Sequence, residues 1–193
     1  MANNPDWFLR KVSEKKLATE RTLYILAALT LALQKYNIKP ILVGGGALEF
    51  YTFGNYATHD IDLVADERHL VGEALETLGF SHEPGFRHWY HEDLDVSIEI
   101  PDTKLAGSYE KVTSIDVHGV LVQIISPEDL LIDRLAAYKF WKSLSDGEWA
   151  ARLYAIHGNN MDLKYLEERA NSEQVLDVLK EVMKRSKESK KSS

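Results

Sequence analysis

Asp60 and Asp62 stand two residues apart in the run His59-Asp60-Ile61-Asp62-Leu63-Val64, where apolar and acidic residues alternate. Such alternation predicts a β-strand with one wet face, so both carboxylates project from one side, about 7 Å apart along the chain at ~3.4 Å per residue. Two carboxylates held that close repel unless a cation neutralises them, and oxygen-rich sites of this kind favour Mg2+ or Mn2+. Upstream, residues 41–43 (ILV) form a short apolar run that ends in Gly44-Gly45-Gly46, as a buried strand would at a backbone-permissive turn. A short helix is predicted over residues 47–53, and bare backbone N–H groups at a helix start suit a phosphate anion without basic side chains. Taken singly, a DxD reads as solvated acids and glycines after a strand as turn punctuation. In adjacent elements, a phosphate cradle and a metal pair make a nucleotide site.

The order hhGGxA, a spacer, then T-x-D-I-D-L, written here as VGGGALEFYTFGNYATHDIDLV over residues 43–64, resembles the nucleotidyltransferase superfamily that shares the palm fold of DNA polymerase β. Within it, the closer likeness is to uncharacterised bacterial and archaeal nucleotidyltransferases and to the abortive-infection toxin type. The helix start SPEDLLIDRLAAY at residues 126–138 also resembles the segment after the sheet in those relatives, and the likeness covers residues 38–145. The resemblance implies a mixed sheet flanked by helices and transfer of a nucleoside monophosphate from a nucleoside triphosphate. By the same resemblance, Gly44 and Gly45 hold the triphosphate, with Thr58 nearby, while Asp60 and Asp62 ligate Mg2+. A third carboxylate on a neighbouring strand completes the site; the candidates are Glu99 and Asp95, and Glu99 is preferred because Asp95 lies beside a turn. The metals would bridge carboxylates and triphosphate, lower the pKa of an acceptor hydroxyl and stabilise the leaving pyrophosphate.

One departure from the family pattern matters. Many relatives carry an Arg shortly before the DxD, whereas here the matching place is Tyr56-Ala57-Thr58, and no Lys or Arg lies between Gly44 and Asp60. That Arg would contribute charge-assisted bonds to phosphate. Arg134, Lys139 or Lys142, on the helix after Pro127, are the candidate replacements. The missing Arg also leaves a second reading open, a weak or inactive module of the same fold that binds or regulates, for example as one member of a toxin–antitoxin pair.

The elements that must position these residues are legible in outline. Residues 5–37 read as helical, rich in Ala, Leu, Glu and Lys. A helix is predicted over residues 66–78, closed by Gly79. Strands follow at 86–91 and 94–100, the second ended by Pro101, with Leu94, Val96, Ile98 and Ile100 on one face and Asp95, Ser97 and Glu99 on the other. A hairpin joins 111–117 to 120–125 through His118-Gly119. Ser126-Pro127-Glu128-Asp129 combines a capping Ser, a first-turn Pro and acids at the positive dipole end. From residue 130 to about 187 the chain is helix-prone, with breaks predicted at 145–147 and 157–160. The plan is α+β: an N-terminal helical segment (1–37), a nucleotidyltransferase-like core (38–126), a C-terminal helical part (127–187) and a disordered tail (188–193).

Composition narrows the chemistry. The 193 residues contain no cysteine, which removes disulfides, thiolate metal sites and cysteine nucleophiles. The net charge of −7 is uneven: residues 181–193 carry +3 and the remainder −10, which argues against a general phosphate-coating nucleic-acid binder. Residues 23–33 are apolar apart from Thr30, but a bilayer span needs roughly 20 such residues, so they read as a buried core helix or a dimer seam. The upstream charges do not suit a signal peptide, and a cytoplasmic location without membrane attachment is expected. His82, His88 and His91 do not share a strand face and read as no metal site. Trp141, Trp149, Tyr138 and Tyr154 read as helical core rather than a base-stacking platform. The expected ligands are a nucleoside triphosphate and Mg2+ or Mn2+, with an RNA end, a protein hydroxyl or a small molecule as acceptor. A homodimer or an antitoxin-type protein is the expected partner.

Overall fold

The computed structural model describes residues 4–83 and 87–191, and the chain divides into two compact units, Met1–Ile125 and Ser126–Ser193. In the first unit the predicted N-terminal helix is two helices. Asn4 caps α1 (Pro5–Val12) by accepting the Asp6 N–H at 2.8 Å. The polar residues Ser13-Glu14-Lys15-Lys16 offer no apolar face, so the chain turns there, and Phe8 and Val12 pack back, fully buried, as α1 lies against α2 (Ala18–Leu33). The apolar stretch within α2 is core: Ile25, Leu26, Leu29 and Leu33 are buried. Among the described residues, no helix is long and apolar enough to cross a membrane.

A six-stranded mixed sheet follows. Its strands are β1 (Ile41–Leu42), β2 (Asp60–Val64), β3 (His88–His91), β4 (Val96–Asp102), β5 (Thr113–Val117) and β6 (Val120–Ile124), in the spatial order β3-β4-β2-β1-β6-β5. Strand β2 runs antiparallel to β1 and parallel to β4. Ile61, Leu63, Ile98 and Ile100 are buried, while Asp60, Asp62, Ser97 and Glu99 are only half-buried, as the period of two demands. Helices α3 (Gly44–Tyr51) and α4 (Arg68–Thr77) complete the unit, with α2 packing on both.

Several boundaries differ from expectation for identifiable reasons. Helix α3 starts at Gly44 rather than residue 47, so the glycines form its first turn. Strand β4 begins after Asp95, whose φ of +48° closes the turn, and it runs through Pro101 instead of stopping there. The β2–β4 register shifts between Asp62 and Val64, an irregularity that accommodates a residue lacking an N–H. Phe86, at the start of the strand predicted over 86–91, lies outside the described residues. The β5–β6 hairpin turns at His118 and Gly119, both with positive φ, as that dipeptide suggests.

The second unit is helical: α5 (Pro127–Trp141), α6 (Leu144–His157), α7 (Leu163–Ser172) and α8 (Leu176–Lys191). The break expected at residues 145–147 falls earlier, where Lys142 adopts φ +59° and Ser143 caps α6. Gly147 lies inside α6 because the Tyr138 ring presses on it; a Cβ there would meet Tyr138 Cδ2 at 2.6 Å. Helix α8 reaches Lys191, into the tail expected to be disordered, and residues 192–193 lie outside the described part. Of the four aromatics read as helical core, Tyr154 is buried, but Trp141 is 83% exposed and does not pack there.

At the start of α5, Ser126 accepts the Asp129 N–H at 3.0 Å and donates to Asp129 Oδ2 at 2.9 Å. Asp129 is buried and also receives Tyr165 Oη at 2.7 Å and Arg169 Nε at 3.3 Å. Ser126→Ala should lower stability by about 1–2 kcal/mol, read as a shift in the chemical denaturation midpoint.

Candidate functional site

The site is assembled on the polar face of β2. In the parallel ladder Asp60 pairs with Ser97 and Asp62 with Glu99, so the acid pair and Glu99 occupy one face of two adjacent strands. Ser97 Oγ donates to Asp60 Oδ1. The β1–α3 turn abuts Asp62: Val43 N donates to the Asp62 carbonyl at 2.9 Å, and Gly45 N donates to Asp62 Oδ2 at 3.3 Å. Gly44 has φ +57°, and a Cβ there would overlap the Asp62 carboxylate. At Gly45 a Cβ would lie 2.8 Å from Thr58 Oγ1, whose hydroxyl donates to the Asp60 carbonyl at 3.3 Å. The glycines thus let the turn approach both Asp62 and Thr58, and the Gly45 N–H expected to face phosphate points at a carboxylate.

The two alternatives for the third carboxylate occupy different settings. Glu99 is in register with Asp62, whereas Asp95 precedes β4 in the turn and accepts Tyr90 Oη at 2.9 Å. That hydrogen bond holds the Tyr90 phenol above its ordinary value. Asp95 therefore lies outside β4, although it lines a cavity with Asp60. Among the described residues, no three His, Asp or Glu side chains are grouped so as to hold one metal ion. The donor set nevertheless suits Mg2+, which takes one or two carboxylates and completes its shell with phosphate oxygens and water.

Arg134 and Lys139 belong to the second unit and are engaged there. Arg134 Nη1 meets Asp146 at 2.8 Å and Nη2 meets Asp133 at 2.5 Å, while Lys139 Nζ meets Asp177 and the Gln174 carbonyl at 2.7 and 2.6 Å. Lys142 forms the left-handed end of α5. His82 stacks on Trp89 and His91 packs on Phe80.

Two residues beside the acid pair carry no sequence signal. Arg21 from α2 and Glu49 from α3 line a cavity with Thr58, His59, Asp60 and Asp95. Arg21 Nη2 donates to the Leu94 carbonyl at 2.6 Å, which places a cation near Asp60 from a segment 39 positions upstream. Glu49 is 5% exposed, and burial pushes its carboxyl above the ordinary value of 4.5. A raised acid pKa stabilises the fold below the unfolded value and loses that contribution as pH rises through the folded one. Glu49→Gln should therefore raise the denaturation midpoint at neutral pH, and the gain should vanish below about pH 4.5.

A mixed sheet carrying an acid pair on one strand and a glycine turn at the adjoining helix start defines a nucleotidyltransferase-like fold. The chain is similar, over 88% of its length, to the whole of the antibiotic-resistance factor ANT(2'')-Ia in its solution structure, at 16% identity and a TM-score of 0.55. Over 87% of its length it is similar to 94% of an antigenic nucleotidyltransferase-like protein from Paracoccidioides brasiliensis, at 18% identity and a TM-score of 0.53. At these identities the likeness is one of fold. The family described as nucleotidyltransferase of unknown function (DUF6036) matches residues 21–190, and the chain belongs to that family. No curated protein matches the sequence.

Proposed function

We propose that the protein is a Mg2+-dependent nucleotidyltransferase that moves a nucleoside monophosphate from a nucleoside triphosphate to a hydroxyl acceptor. The observation that carries this reading is the β2–β4 register, which sets Asp60, Asp62 and Glu99 on one face where the glycine turn meets Asp62. Membership of a nucleotidyltransferase family supports transfer as the reaction class.

Asp60 and Asp62 would hold the divalent ion, with Glu99 the nearest further carboxylate in register. A bound Mg2+ supplies positive charge to the phosphate oxygens. Ser97 and the Gly45 N–H orient the two aspartates by occupying one oxygen of each. In the reaction, the acceptor oxygen bonds to the α-phosphorus as its proton passes to solvent, and the α–β phosphoanhydride bond breaks with its electron pair departing on pyrophosphate.

Incubation with each α-labelled nucleoside triphosphate, Mg2+ and a panel of RNA, protein and small-molecule hydroxyl acceptors tests the reading. The expected result is label on one acceptor class with equimolar pyrophosphate, abolished by chelation. Pyrophosphate release that is indifferent to chelator would contradict it.

A further inference from the structure

Resting on the transfer reading above, we propose that the cavity beside Asp60 is the acceptor subsite and that Glu49 receives there a protonated amine of a small amino alcohol. The cavity, about 240 Å³, lies between the start of α2, helix α3 and the first residues of β2 and β4. It is smaller than the ~300–1,000 Å³ of sites that enclose a whole drug-sized ligand, so it suits one ring or one short branched moiety.

Glu49 sets the chemistry of that moiety. Its side chain is buried in α3, faces the cavity, and has no hydrogen-bond or ion-pair partner among the described residues. A carboxylate that keeps only residual solvent contact at a cavity wall and has no partner is poorly stabilised, and a cation arriving in the cavity improves its setting. The surroundings reinforce the sign: Asp60 and Asp95 line the same space, opposed by Arg21, already bonded to the Leu94 carbonyl, and by His59.

An ammonium group fits these acceptors better than a metal ion does. It offers three N–H donors and needs no cage of ligands. Asp60 belongs both to the cavity wall and to the acid pair. A hydroxyl one or two carbons from an amine seated on Glu49 therefore lies on the side where transfer takes place. The anionic end of an RNA would meet Glu49 and Asp95 unfavourably.

The test is a titration of the full-length, isotopically labelled chain, without nucleotide, followed by backbone amide NMR. The probes are trans-2-aminocyclohexanol, protonated at neutral pH, and trans-cyclohexane-1,2-diol, which has the same ring without the charge. The amine is expected to shift the amides of residues 49 and 58–60, with the diol about tenfold weaker and Glu49→Gln weakening the amine about tenfold, the scale of one charge-assisted hydrogen bond. Equal shifts by both probes, no shift by either, or undiminished amine binding in a folded Glu49→Gln variant would overturn the proposal. So would a short RNA oligonucleotide that shifts the same amides more strongly than the amine. Because no nucleotide is present, failure here alongside intact label transfer removes the amine subsite and leaves the transfer reading standing.

Discussion

Asp62→Ala is expected to reduce nucleotidyl transfer at least ~100-fold, the scale on which loss of a single group that stabilises a transition state registers. Two effects on folding oppose each other in this variant. Removing the carboxylate deprives the Gly45 N–H of its acceptor, worth about 1 kcal/mol, while relieving the repulsion between Asp60 and Asp62. The denaturation midpoint should therefore move little. Asp62→Asn sharpens the result, because the amide oxygen still accepts from Gly45 but carries no charge. It should fold like the wild type and be about as inactive as the alanine variant. An active Asp62→Asn protein would show that Asp62 only anchors the glycine turn.

Gly44→Ala is expected to damage fold and site together. The backbone at φ +57° is unfavourable for a residue with a side chain, and the new Cβ would lie 2.9 Å from Asp62 Cγ. A cost of about 1–3 kcal/mol, read by chemical denaturation, should accompany loss of Mg2+-dependent nucleotide binding as the carboxylate is displaced. Gly54→Ala is the matched control. Gly54 also has positive φ, at +79°, but a Cβ there meets nothing within 4 Å. It should lose stability through backbone strain alone and keep nucleotide binding. Equal loss of binding in both variants would mean that strain, rather than the approach of Gly44 to Asp62, governs the site.

The parts of the site that were legible in the sequence are those written in local patterns. The alternation around Asp60 and Asp62 marks a strand with one polar face, and the triple glycine marks a turn that side chains could not make so close to Asp62. His118-Gly119 announces its hairpin because both residues tolerate positive φ. Glu49 and Arg21 were not legible. On a helical pattern a glutamate or arginine reads as solvated surface, and only the packing of α3 on β2 and of α2 on α3 brings these two to the cavity beside Asp60. The standing of Asp95 also depended on tertiary detail. Its place in a period of two matched Ser97 and Glu99, but the turn takes it out of the strand and ties it to Tyr90. Likewise Arg134 and Lys139 showed the right charge, but beside the adjacent Asp133, the acids that engage them, Asp146 and Asp177, lie 12 and 38 positions away in sequence.

The most direct test of the central claim is a calorimetric titration of each nucleoside triphosphate into the wild-type chain, with Mg2+ and then with chelator, repeated on Asp62→Asn. Saturable binding of at least one nucleotide is expected, needing both Mg2+ and the Asp62 carboxylate. Binding unaffected by chelator and by Asp62→Asn, or no binding of any nucleotide with Mg2+ present, would contradict it.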